Sequence, residues 1–247
     1  MIARFFMFNS FCSSNIAAYI LIMISKISCM KKVSLIVSIL ALTLGCKQQA
    51  ITETLPEPPP KKIATWGDSF TFGGGVTMVE YAYPDQLQKI SGYEVYNGGV
   101  NGETSTQIKK RMLAATDKKN HYVIIWAGDN NFRSPEIVKA DIAEMVASLG
   151  HKRYLVISLL GSKYERTGSV GYTTIMDLNA HLKQTYKENY LDVRSYLVSQ
   201  ASTSAQDQQD KAIDIVPTSL RSDDEHPNDK GYNLIAAFIY KNFTALH

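Results

Sequence analysis

A serine and a histidine in this 247-residue chain each stand in a local pattern suited to nucleophilic chemistry. Ser69 lies in Gly67-Asp68-Ser69-Phe70, directly after the apolar run at residues 63–66. A serine at a tight strand-to-helix turn is exposed, and its backbone N–H sits at a helix N-terminus. One residue then offers both a hydroxyl nucleophile and an anion donor. Far along the chain, Asp223-Asp224-Glu225-His226-Pro227 sets a carboxylate three residues before an imidazole. That spacing lets Asp223 bond one ring nitrogen of His226 and leave the other to act as a base.

Two further segments could supply hydrogen-bond donors. Asn97-Gly98-Gly99-Val100-Asn101-Gly102-Glu103-Thr104 contains Gly102, whose backbone N–H can approach a ligand with no side chain in the way. Gly128-Asp129-Asn130-Asn131 offers the Asn130 amide to a developing oxyanion. Taken singly, each of the four segments also reads as a capped turn, a Gly/Asn loop or a solvated charge cluster. Their weight comes from occurring together, in order, where one end of a sheet would collect them.

The elements that must position them alternate in type. Residues 63–66, 93–96, 121–127, 154–160 and 191–193 read as strands. HYVIIWA at 121–127 is nearly all apolar, as in a strand covered on both faces. Helices are expected at 84–90, after a capping box at 104–107, after Ser134-Pro135-Glu136, over 173–190, and at the end of the chain. In the last of these, Tyr232, Ile235, Ala236, Ile239 and Phe243 share one face. Strand alternating with helix predicts a mostly parallel sheet with helices on both faces, and such sheets bind ligands beyond the carboxyl ends of their strands. The four segments fall in those loops or just before the last helix.

The four blocks together resemble the SGNH/GDSL hydrolase family, from residue 63 to the end. NGGVNGETS at 97–105 looks most like its thioesterase, lysophospholipase and arylesterase branch. The resemblance implies a three-layer α/β/α sandwich around a five-stranded flavodoxin-like sheet. By position it makes Ser69 the nucleophile, His226 the base and Asp223 its orienting carboxylate. The oxyanion hole would be the N–H groups of Ser69 and Gly102 with the Asn130 side chain. The third block departs from the pattern: Asn131 stands where the family often has Asp, with Asp129 ahead of it. Altered loop bonding is expected there. The implied chemistry is two-step acyl transfer, with no cofactor and no metal.

Composition divides the chain. Arg4, Lys26, Lys31 and Lys32 lie in residues 1–45, which hold no acid; without them the formal +3 becomes −1 for the remaining 202 residues. A nearly neutral body has no electrostatic footprint for nucleic acid. Met30-Lys31-Lys32, an apolar run at 33–44 and Gly45-Cys46 form a signal-peptide pattern, and the Cys gives it the look of a bacterial lipoprotein signal. Residues 30–45 then read as the signal, with 1–29 upstream of the true start. Cys46 reads as the lipidated residue and 46–61 as a Pro-rich tether to a hydrolase domain at 62–247. The location implied is the bacterial cell envelope, facing the periplasm and favouring the outer membrane. Cys12, Cys29 and Cys46 are the only cysteines, so the body has no disulfide and no thiolate metal site. His121, His151, His181 and His247 stand outside the four blocks and read as structural or solvated.

The expected substrate is a carboxylic ester: a lysophospholipid, aryl or short acyl ester. An O-acetyl group on a carbohydrate or peptidoglycan is the alternative, and a non-catalytic binding protein on the same fold is the other class. The residues at 164–172 are expected to form a loop bordering the acyl pocket.

Overall fold

A computed structural model describes residues 61–243. The expected signal, Cys46 and all but the last residue of the tether lie outside the described residues, as does His247. Five strands, β1 (Lys62–Gly67), β2 (Glu94–Gly99), β3 (Tyr122–Trp126), β4 (Tyr154–Ile157) and β5 (Tyr190–Leu191), form one sheet in the order β2-β1-β3-β4-β5. Every pairing is parallel. This is the flavodoxin-like order, in which the switch point lies between β1 and β3.

The layers follow from alternation along β3. Tyr122, Ile124 and Trp126 join a core with Tyr83 and Leu87 of α2 (Tyr83–Ser91), Leu197 of α6 (Val193–Ser199) and the apolar face of α8 (Asp229–Phe243). Val123 and Ile125 point the other way. They pack with Ile108 of α3 (Ser105–Ala114), Ile142 of α4 (Pro135–Ala147) and Leu178 of α5 (Val170–Tyr186). Side chains of successive strand residues face opposite sides, so a strand buried twice must be apolar throughout. All five residues of the expected face of α8 are buried.

Several boundaries differ from expectation, each for a local reason. β4 stops at Ile157: the Ser158 N–H still donates to the Leu191 carbonyl of β5 at 3.0 Å, but the next amides are taken by side chains, Leu159 N–H by Asn179 and Leu160 N–H by Asp129. β5 ends at Leu191 because Asp192 caps α6, accepting from the Ser195 N–H at 3.0 Å. α5 begins at Val170, three residues earlier than expected, because Ser169 caps it by accepting from the Tyr172 N–H. Ser134 does not act as a side-chain cap for α4, although Pro135 opens that helix as expected. Thr104 and Gln107 do meet at the start of α3: Gln107 Oε1 accepts from the Thr104 N–H at 2.9 Å.

Burying Ile235 completely against the sheet makes α8 part of the core rather than a surface addition. Ile235→Ala should lower stability by about 2–5 kcal/mol. Thermal unfolding would show this as a midpoint lower by on the order of 10 °C.

Candidate active site

The carboxyl end of β1 delivers the serine. Gly67 leaves no room for a side chain: a Cβ there would stand 2.6 Å from the Trp126 carbonyl oxygen. The chain turns at once into the short helix α1 (Ser69–Phe72). Asp68 caps it, its Oδ1 accepting from the Phe70 N–H at 3.0 Å. Ser69 is thus the first residue of a helix, where backbone N–H groups lack partners within the helix. Phe70 beneath it stacks on Trp126, with ring centroids 5.3 Å apart.

The histidine comes from the segment before α8. His226 Nε2 lies 2.9 Å from Ser69 Oγ, although the two residues are 157 positions apart. His226 Nδ1 lies 2.9 Å from Asp223 Oδ2. The second oxygen of Asp223 accepts from the backbone N–H groups of Glu225 and His226, both at 2.7 Å. Burial works against the Asp223 charge, but those N–H groups and the imidazole outweigh it and hold the carboxyl below its ordinary range. The carboxylate therefore stays ionised and fixes which ring nitrogen faces the serine.

A Gly-rich loop after α1 admits the imidazole. A Cβ on Gly74 would stand 2.6 Å from His226 Cδ2 and 2.9 Å from Nε2. The loop is fastened to α8: Tyr232 Oη donates to the Gly74 carbonyl at 2.9 Å, and the Thr77 N–H and hydroxyl donate to Asp229.

The other two segments close on the same place. Asn130 Nδ2 donates to the Glu103 carbonyl at 3.0 Å and lies 3.3 Å from Asp68 Oδ2. Gly102 precedes Glu103, with a φ of +74° and open space where a Cβ would stand. Its loop is held by Arg111, whose Nε donates to both Glu103 oxygens and whose Nη2 donates to the Gly98 carbonyl at 2.9 Å. Asn131, where altered bonding is expected, meets Ser105 through two bonds. Asn131 Oδ1 accepts from the Ser105 N–H, and its Nδ2 donates to Ser105 Oγ. An ionised aspartate could not make the second bond. The Ser105 hydroxyl is then free to donate to Asp141 at 2.6 Å, which ties α3 to α4.

The four blocks thus converge, while His121, His151 and His181 lie elsewhere. His151 is held by backbone groups of Lys119 and Arg153. Three groups near the site escaped the sequence reading. Arg111 clamps Glu103 from eight residues away, outside any helix-pair spacing. Asp68 and Asp129 are both buried. Burial, then the neighbouring Asp129 charge, push the Asp68 carboxyl well above its ordinary range. Burial dominates at Asp129 too and, against the Gly161 and Leu160 N–H groups, raises it to about 7. Asp129 Oδ2 is buried with no hydrogen-bond partner, which disfavours the anion further. In the sequence both carboxylates look like turn residues, and only burial distinguishes them.

The loop at 164–172 borders the catalytic segment rather than standing apart. Tyr164 Oη donates to Asp224 Oδ2 at 2.8 Å, and the Lys163 N–H donates to the Asp224 carbonyl at 2.8 Å.

Two outcomes follow from this geometry. Gly74→Ala should displace His226 and cut kcat at least about tenfold, because the base must lie within hydrogen-bond reach. Near-parental turnover would show that the loop does not confine the ring. Asp129 also makes stability depend on pH. Its native carboxyl keeps a proton that the unfolded chain loses near pH 4. Its contribution is therefore full below pH 4 and is lost as pH rises towards about 7. Asp129→Asn should flatten the thermal midpoint between pH 4 and 7; an unchanged slope would assign the dependence to other groups.

Residues 65–234 match the model of the GDSL-like Lipase/Acylhydrolase family. Among solved structures, a lipolytic protein of the G-D-S-L family from Desulfitobacterium hafniense is 22% identical with a TM-score of 0.57, covering 74% of this chain and 99% of that one. A G-D-S-L lipolytic protein from Veillonella parvula is 18% identical with a TM-score of 0.59, covering 74% and 98%. The psychrotrophic esterase EstA from Pseudoalteromonas is 13% identical with a TM-score of 0.53, covering 75% and 98%. These likenesses are ones of fold. The tail spike protein of Salmonella phage epsilon15 is 30% identical over 112 residues, 43% of this chain, and the match spans about a tenth of that protein's length. With the family pattern matched across most of its described residues, the chain belongs to the GDSL-like lipase/acylhydrolase family and is an ester hydrolase.

Proposed function

We propose that the chain cleaves carboxylic esters through an acyl-enzyme on Ser69. The observation that carries this reading is the pair of 2.9 Å contacts on the two nitrogens of His226, one to Ser69 Oγ and one to Asp223. His226 takes the serine proton as Ser69 Oγ attacks the ester carbonyl. It returns that proton to the leaving alkoxide, and the acyl group stays on Ser69 Oγ. His226 then deprotonates a water, which attacks the acyl carbon and releases the carboxylic acid and the serine.

The oxyanion formed in each step is met by the N–H groups of Ser69 and Gly102 and by the Asn130 amide. The elevated affinity of Asp68 and Asp129 for protons supports this assignment. Two ionised carboxylates beside the Asn130 amide would oppose a developing negative charge, and burial that favours their protonated forms lessens that opposition.

The substrates that meet these requirements are short acyl, aryl and lysophospholipid esters, and O-acetyl groups on a glycan meet them equally. The leader ending Gly45-Cys46 supports a place on the bacterial cell envelope, with the domain tethered through a lipid on Cys46. No helix among the described residues is long and apolar enough to cross a membrane.

A fluorophosphonate probe should label the wild-type protein and fail to label Ser69→Ala. Absence of wild-type labelling would favour a binding protein on this fold. On p-nitrophenyl esters, Asn130→Ala should lower kcat by roughly 10²–10³, the usual loss of one oxyanion donor. His226→Ala should cost more, and wild-type turnover in that variant would end the assignment.

A further inference from the structure

Arg111 lies in the last turn of α3, yet its guanidinium makes its bonds beyond the other end of that helix. Side chains of a helix lean towards its N-terminus, so the long arginine side chain runs back along the helix. There it reaches three segments of the site. Nε donates to Glu103 Oε1 and Oε2 at 2.9 and 2.8 Å. Nη2 donates to the Gly98 carbonyl of β2 at 2.9 Å and to the Gly67 carbonyl of β1 at 3.3 Å. The group lies over the Trp66 ring, with Cζ 5.6 Å from the ring centroid, a contact that favours one plane. The Arg111 and Glu103 side chains are only 29% and 13% exposed. A bidentate pair withdrawn from water fixes geometry in a way that an exposed pair does not.

What it fixes is the loop of the expected oxyanion donors. Residues 100–102 are exposed, and nothing lies within 4 Å of the place where a Cβ on Gly102 would stand. The loop is therefore set mainly by polar bonds. The Val100 N–H donates to the Gly67 carbonyl at 3.1 Å, and the Thr104 N–H donates to Gln107 at 2.9 Å. Glu103 is the joint between them. Arg111 holds its carboxylate, while its carbonyl accepts from Asn130 Nδ2 at 3.0 Å. Gly102 directly precedes it. One guanidinium thus acts, through one residue, on both oxyanion donors that Ser69 does not itself supply.

The rest of the neighbourhood has anchors of its own. Ile108 and Met112 bury α3 against the sheet, and Ser105, Thr106 and Lys109 all bond to Asp141 of α4. The base is held from another side. Asp207 and Asp210 of α7 (Ala205–Ala212) brace Ser219 and Thr218 in the run that leads to His226. Removing the guanidinium would therefore loosen the oxyanion loop and leave α3, Asp223 and His226 where they are.

We propose that Arg111 is a positioning residue for ester hydrolysis: its fork on Glu103, Gly98 and Gly67 sets the Gly102 N–H and the Asn130 amide where the oxyanion forms. It acts through Glu103 and touches no reacting atom. The proposal rests on the acyl-enzyme reading of Ser69. A lysine would supply the charge but not the planar fork that reaches a carboxylate and a carbonyl together. The role belongs to the shape of the guanidinium.

The test compares the wild type with Arg111→Ala and Arg111→Lys on p-nitrophenyl acetate. Active sites in each are counted by the end point of fluorophosphonate labelling. In both variants kcat per labelled site should fall by roughly 10–10², the scale of loss for donors displaced by about 1 Å. KM should change by no more than about threefold. The pH midpoint of kcat/KM should not move, because His226 and Asp223 keep their contacts. Arg111→Ala combined with Asn130→Ala should lose less than the product of the two single losses, since both changes act on the same donors. If Arg111→Ala does not fold, Arg111→Lys and Glu103→Gln take its place in every comparison. Parental kcat per site, a loss carried by KM, a moved pH midpoint, fully multiplicative losses, or a loss matched by fewer labelled sites would each overturn the role of Arg111 and leave the acyl-enzyme reading standing. No labelling of the wild type would overturn that reading and Arg111 with it.

Discussion

A proton can pass between Ser69 and His226 only because residues 157 positions apart are held at 2.9 Å. Neither end of that bond holds itself in place. The serine is set by the turn at Gly67 and the Asp68 cap, and the histidine by two bonds to Asp223. Between them lies Gly74, where even one added carbon would strike the imidazole. The bonds from Tyr232 and Thr77 fasten this glycine loop and α8 to each other. Since α8 is locked into the core by Ile235 and Ile239, the placement of His226 beside Ser69 is an output of core packing. A shift of about 1 Å in that helix would reach the site undamped, because packed interiors transmit displacement rather than absorb it.

Much of this was legible in the sequence. The parallel sheet follows from β3, whose apolar run has no polar face to leave in water. The four blocks follow from residue types that chemistry demands at the ends of strands. The capping residues before α3 and the buried face of α8 follow from spacing alone. Legibility fails where polar atoms replace apolar ones as the stabilising contact. α7 was missed because its buried residues are Asp207 and Asp210, not an apolar stripe. Those carboxylates hold Ser202, Ser219 and Thr218, which brace the chain on its way to His226. α6 was missed for its length: seven residues give too few turns for periodicity to register. β4 was drawn too long because the sequence cannot show that Asn179 and Asp129 take over its amides. Ser134 has a capping residue's type but makes no capping bond, a reminder that propensity yields to context.

The buried carboxylates around the site carry the argument one step further. Asp129 uses one oxygen to hold the amides of Leu160 and Gly161, and so fixes the start of the loop that leads to Tyr164. Its other oxygen is buried without a donor. Its charge acts on Asp68, which caps the helix of the nucleophile and lies beside the Asn130 amide. One residue thus acts both on Asp68 and on the loop after β4. A proton on the unpartnered oxygen of Asp129 costs none of the bonds that its other oxygen makes, whereas a second negative charge would have to be held in a nearly dry space. Burial therefore favours a protonated form at this pair, and the amides of Leu160 and Gly161 are held through the other oxygen of Asp129. Two acids can sit so close to the Asn130 amide because burial, the same property that makes them costly, favours their protonated forms.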